Sequence, residues 1–166
     1  MTGGGFEVST SSNDLENLVR ALRQEEDGRE LRKELSKNLR DALKPAADSA
    51  KNAIMSMESS GSSNSTPALR TQIAKKIRPE VRLTGRSTGA RVKARKIPNI
   101  RGFANAPKRT QQETWRTQTF GNNEWREQRG KLNWFDNAMH EKPEEYKRAC
   151  IDAMEDMARR IINRIH

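Results

Sequence analysis

The chain has a single cysteine, two histidines and one tyrosine among 166 residues. No apolar run approaches the roughly 18 to 20 residues that a membrane-spanning helix needs. Cys150 has no internal disulfide partner, which agrees with a reducing compartment. The opening MTGGGFEVST lacks the cationic-then-apolar order of a signal peptide, so a soluble protein made and used without secretion is expected. There is no glycine-rich loop followed by Lys-Ser or Lys-Thr, no HExxH and no CxxC, and His140 and His166 lie outside any ligand spacing. The residue types that carry nucleophilic or zinc chemistry are thus nearly missing. The expectation is a protein that is not an enzyme, with no catalytic residues, no metal and no cofactor. Asp136 and His140 form an i,i+4 pair, which reads as a solvated helical pair rather than a fragment of a metal or acid–base site. Apolar residues are also scarce, at 33% against 33% charged, so the core is small relative to the surface. Such a chain completes its burial in an oligomer or carries long mobile segments.

What the sequence does have is positive charge, placed unevenly. Residues 66 to 109 hold thirteen Lys and Arg against one acid, Glu80, while the other residues hold nineteen against twenty-one acids. The whole excess of +10 is therefore local. A charge so concentrated needs an anionic partner or open water around it, and both accounts stand at this point.

One domain is expected from the length. Residues 1 to 12 read as a flexible arm, although Phe6 and Val8 alternate with polar neighbours as a short edge strand would. Leu15, Leu18, Val19 and Leu22 fall on one helical face after a cap at Ser12 or Asn13, and Asp27-Gly28 breaks the pattern. A longer helix is predicted from about Arg29 to Met57, with Leu31, Leu35, Leu39, Ala42, Ala46, Ala50, Ile54 and Met57 as its apolar stripe. Pro45 lies inside it, removes one backbone donor and predicts a bend. Residues 58 to 66 (ESSGSSNST) have the composition of a flexible connector. Pro67 then opens a helix from Ala68 to Ile77 with Leu69, Ile73 and Ile77 on one side.

From Glu80 the period becomes two. Val81 and Leu83 alternate with Arg82, residues 84 to 89 supply a turn, and Ala90, Val92 and Ala94 alternate with Arg91, Lys93 and Arg95. This predicts a hairpin with one apolar and one cationic face. Arg82, Arg86, Arg91, Lys93, Arg95 and Lys96 are its candidate partner-binding residues. Aromatic side chains are not interleaved with these bases, so the stacking platforms of single-strand binders are missing. The stretch from Ile97 to Lys131 reads as an extended, mostly polar segment held by Trp115, Phe120 and Trp125, since large aromatics in polar surroundings anchor a segment to something. A short helical turn is predicted at Trp134 to Met139. A C-terminal helix follows from Pro143, with Tyr146, Cys150, Ala153, Met154, Met157, Ile161 and Ile165 as its stripe. Cys150 on that stripe reads as a buried, inert thiol. The fold class is α+β: long N-terminal helices and a C-terminal amphipathic helix packed on a small antiparallel sheet.

Particular stretches resemble a family. They are LRDALKPAADSAKNAI, PALRTQIAKKIRPEVRLTGRSTGARVKAR and TWRTQTFGNNEWREQRGKLNWFDNAM, followed by the amphipathic C-terminal helix. In this order they resemble the neck, tail-completion or tail-terminator-like proteins of long-tailed bacteriophages, those of actinobacterial phages in particular. The resemblance covers about Leu15 to Ile165. It is most specific at Trp115-Arg116, Phe120-Gly121-Asn122, Trp125 and Trp134-Phe135, while Thr117-Gln118 stands where a His-Pro pair is common in that family. It implies a structural virion protein, made in the host cytoplasm, that forms a ring of about six subunits between the head connector or stopper and the tail tube. Trp115, Trp125 and Trp134 read as core or subunit-interface residues rather than a ligand cage, and with the resemblance the candidate interface residues are Trp115, Arg116, Phe120, Trp125, Trp134 and Phe135. Protein partners are favoured for the basic hairpin, with non-specific contact to genomic DNA in the channel kept open and no membrane involved. The competing reading is a stand-alone basic nucleic-acid-binding protein.

Overall fold

The computed structural model describes residues 5–8, 12–57, 68–97, 105–118 and 125–164. The elements are β1 (Gly5–Val8), α1 (Ser12–Gln24), α2 (Gly28–Met55), α3 (Ala68–Lys75), β2 (Ile77–Arg82), β3 (Gly89–Ala94), α4 (Ala106–Arg109), β4 (Thr114–Gln118), β5 (Trp125–Arg129), α5 (Trp134–Met139) and α6 (Pro143–Arg164). Helices dominate and two small sheets accompany them, one in the order β1-β3-β2 and the other made of β4 and β5. The class is α+β. The chain forms two compact units, neither continuous in sequence: residues 1–5, 48–78 and 93–141 make one, and residues 6–47, 79–92 and 142–166 make the other. The helix α2 continues through Pro45, and the division between units falls at Ala47 and Asp48.

The second unit is built on three amphipathic helical segments. Leu15, Val19 and Leu22 of α1, Leu31, Leu35, Leu39 and Leu43 of α2, and Tyr146, Cys150, Met154, Met157 and Ile161 of α6 are all buried. These are the expected stripes with Leu43 added, while Leu18, Ala42 and Ala153 are only half-buried. Within this unit α6 packs against α1. Two ion pairs fasten the end of α6. Arg164 donates to both carboxylate oxygens of Asp27, at 2.7 and 2.9 Å, and Arg160 pairs with Glu34. The turn between α1 and α2 is tight: a Cβ built on Gly28 would stand 2.1 Å from the carbonyl oxygen of Leu22. Only glycine allows the two backbones to come this close.

The strands β2 and β3 are joined by six residues, too few for a parallel crossover, so they pair antiparallel. The bond from the Arg95 N–H to the Lys76 carbonyl, 3.1 Å, continues that ladder just past both strands. β3 lies in the centre, flanked by β1 and β2, and Pro79 sits on an edge strand, where a missing donor is tolerated. Within the stretch read as a flexible arm, Gly5–Val8 forms the strand β1 that the alternation at Phe6 and Val8 left open. The helix predicted to Ile77 stops at Lys75 instead, and β2 begins at Ile77, three residues before the predicted change of period. The 58–66 connector, Phe120 and Ile165 lie outside the described residues.

The first unit buries Ala50, Ile54 and Met57 after the division of α2, together with Ile73, Ile77, Ile97, Ala106 and the α5 residues Trp134, Phe135, Ala138 and Met139. Arg70 donates to the carbonyls of Met55 and Met57, so a base of the cationic segment closes the C-terminal end of α2. The stretch predicted as extended from Ile97 to Lys131 contains a short helix, α4, and a two-stranded antiparallel ribbon. Its register places Thr114 opposite Arg129, Arg116 opposite Glu127 and Gln118 opposite Trp125.

Candidate functional site

Three surfaces follow from the sequence and the fold, and the hairpin, whose residues fall in both units, is described unit by unit. The first is the basic hairpin. Along β3, Ala90 and Val92 are buried while Arg91 and Lys93 are half-buried, the alternation that places apolar and cationic side chains on opposite faces. In the second unit, Arg82 and Arg86 are exposed and make no ion pair among the described residues, whereas Arg91 donates to the Ser87 carbonyl at 2.9 Å and so braces its own turn. In the first unit, Lys93 is half-buried and Arg95 and Lys96 are exposed. Not all of the thirteen bases are therefore available to a partner: Arg70 closes a helix, Arg91 closes a turn, and Arg95 and Arg109 already interact within the chain.

The second surface is the β4–β5 ribbon. Cross-strand partners share a face, so positions 115, 117, 126 and 128 lie on one side and 114, 116, 118, 125, 127 and 129 on the other. Trp115 and Trp125 thus occupy register positions on opposite faces. Arg116 stands opposite Glu127, a favourable charge pairing, and both are exposed. The base of the ribbon is held firmly. Gly130 donates to the Glu113 carbonyl at 2.9 Å, Lys131 to Thr110 at 3.2 Å and Asn133 to Gln111 at 2.9 Å. A Cβ on Gly130 would meet the Gln112 and Thr110 carbonyl oxygens at 2.1 and 2.6 Å, so this clamp also requires glycine. Among the described elements, the extensive packing of the ribbon is between its own two strands.

Trp134 and Phe135 do not belong to that surface. They are 1% and 0% exposed and meet edge to face with centroids 5.6 Å apart. The Trp134 Nε1–H donates to the Thr110 hydroxyl oxygen at 3.1 Å, and that hydroxyl donates in turn to the Ala106 carbonyl at 2.8 Å. The expectation that these two residues line a subunit interface is corrected: they are the centre of the first unit's own core.

The third surface was not expected. A shallow groove on α2, within the second unit, is lined by Arg29, Arg32, Lys33, Ser36 and Arg40. The signal was present in the sequence as bases spaced by threes and fours, and a linear charge count hides it because Glu30, Glu34 and Asp41 lie between them.

No group of three or more His, Cys, Asp or Glu residues that could hold a metal occurs among the described residues. Cys150 is buried, and desolvation pushes its thiol up to about 11, which removes the thiolate that a nucleophile needs. The His140 Nδ1 lies 2.7 Å from the Asp136 carbonyl oxygen, a bond to the helix backbone. No described helix is long and apolar enough to cross a membrane. Comparison with protein-family models, curated proteins and solved structures found no match in any of the three.

Proposed function

We propose that this chain is a structural virion protein that assembles into a ring at the head–tail junction of a long-tailed phage, joining the head connector to the tail tube. The observation that carries the reading is the β4–β5 ribbon. Trp115-Arg116 and Trp125, part of the string in which the resemblance to phage neck and tail-completion proteins is most specific, lie on a two-stranded ribbon clamped at its base, whose most extensive packing among the described elements is between its own strands. Two strands alone are marginal in water, and a neighbouring surface would supply the missing burial. A ring of identical subunits offers such a surface to every copy. The basic hairpin then meets acidic surfaces of the adjoining subunit or of the tube, which fits a reading without catalytic residues or cofactor.

Electron microscopy of lysates from the encoding phage with this gene deleted tests the proposal. DNA-filled heads beside separate tails of normal length assign the protein to the joint, and tails of irregular, excessive length assign it to termination. Normal particles refute the structural role. Reversal of the exposed hairpin charges (R82E/R86E/K96E) should block head–tail joining in the same assay. A second reading, a stand-alone nucleic-acid-binding protein, is favoured by the groove on α2, and it requires tight, salt-sensitive binding to DNA by the isolated monomer.

A further inference from the structure

We infer that the groove on the N-terminal half of α2 is a contact surface for the phosphodiester backbone of nucleic acid. Its lining residues are Arg29, Arg32, Lys33, Ser36 and Arg40. All carry hydrogen-bond donors, and no carboxylate lines the groove. Arg29, Lys33 and Arg40 are exposed, and Arg32 and Ser36 are half-buried.

The surrounding acids do not neutralise this surface. Glu34 pairs with Arg160 and Asp27 with Arg164, so both are engaged by α6. Glu30 holds only Lys33, at 3.0 Å, in an exposed pair that water screens strongly. Asp41 makes no ion pair within the described residues, and neither do Arg29 and Arg40. Arg32 directs its Nε to the Gly28 carbonyl at 3.1 Å, which fixes its stem and leaves its terminal nitrogens as donors.

Local energetics argue that these bases are not there for the helix. Arg29 stands in the first turn of α2, the end where the helix dipole disfavours cations and favours anions. Arg29 with Lys33, Lys33 with Lys37, and Arg40 with Lys44 are like-charge pairs at i,i+4, a spacing at which like charges destabilise a helix. A bound polyanion relieves both penalties. From Arg29 to Arg40 the helix rises about 16 Å, the length of duplex axis over which one strand carries about five phosphates at roughly 3.4 Å of axis each. An open, shallow groove suits a continuous backbone better than one small anion. Arg and a serine hydroxyl together are the usual donors to phosphate oxygens. An acidic protein surface would also be attracted, but carboxylates offer neither this regular spacing nor the charge density of a nucleic acid.

This inference stands apart from the ring reading and is tested on the purified full-length chain without any tail component. The probe is a fluorescently labelled random-sequence duplex of about 20 base pairs, with anisotropy read between 50 and 200 mM salt. The wild-type chain should bind with a salt slope that the variant R29Q/K33Q/R40Q reduces by about 2.7, the value for three lost phosphate contacts. The affinity ratio of wild type to variant then shrinks about 40-fold across that salt range. The hairpin variant R82Q/R86Q, with its changes away from α2, should retain the α2 contribution. Circular dichroism confirms that both variants are folded. Absent duplex binding by the wild type, or an unchanged slope in the α2 variant, overturns the inference. So does equal competition by polyglutamate at matched charge, which would make the partner an acidic polypeptide.

Discussion

Replacing Gly28 by alanine separates two effects of opposite sign. Gly28 is the first residue of α2, and propensity alone favours alanine by up to about 1 kcal/mol in a helix interior, less at the first position. The close approach to α1 acts the other way. The new Cβ would stand 2.1 Å from the Leu22 carbonyl oxygen and 3.2 Å from its carbon, both backbone atoms that cannot rotate aside. To restore an ordinary contact the end of α1 must retreat by about 1 Å, and overpacking of this kind costs roughly 1–3 kcal/mol. The retreat also pulls on Leu22, which is fully buried, and on the bond from the Glu25 N–H to the Leu22 carbonyl. The clash should win by about 2 kcal/mol. At roughly 2–4 °C per kcal/mol for a chain of this length, Tm should fall by about 4–8 °C. Differential scanning calorimetry of wild type and G28A at one pH and salt measures this directly. An equal or higher Tm for G28A would show that the turn relaxes freely, and the close packing of α1 on the start of α2 would be wrong.

Two further outcomes are expected. Trp134→Phe keeps an aromatic ring but removes the donor to Thr110, which should cost about 1–2 kcal/mol, and Trp134→Ala about 3–5 kcal/mol; an interface residue would instead leave urea unfolding of the monomer unchanged and alter its association. The hydrogen bonds from Arg164 hold the Asp27 carboxyl below its ordinary value of 3.8. A depressed carboxyl contributes stability above the unfolded value and loses it as pH falls through the lower folded value, so this contribution fades only below about pH 4. In R164Q the Asp27 carboxyl, followed by NMR titration, should move up toward the ordinary value, and an unmoved resonance would exclude the pair in solution.

The helices were legible because their periodicity is strong. The stripes of α1, α2 and α6 appear in the sequence residue by residue, and Leu43 escaped only because Ala42 also continues the spacing by threes. The ribbon was not legible, for a physical reason. Thr114 and Thr117 are its only β-branched residues, and both faces carry charged or amide side chains, so no period of two in hydrophobicity exists to be read. Its register is secured by backbone bonds at Gly130, Lys131 and Asn133, which no pattern of side chains announces. Trp134 and Phe135 were misassigned because adjacent aromatics rarely fit one helical stripe. In a helix of six residues covered on more than one side, both find cover. The cationic groove illustrates the reverse: every base is plain in the sequence, yet a window sums over all helix faces and cancels what the fold separates.

The packing of α1 against α6 has a consequence for the making of the protein. During translation α1 is complete about 120 residues before α6 begins to appear, a delay of roughly 6–24 s at 5–20 residues per second. Throughout that interval Leu15, Val19 and Leu22 have only part of their eventual cover. The nascent chain therefore presents an apolar helix face to solvent for far longer than a helix takes to form, the exposure that chaperones acting on nascent chains recognise.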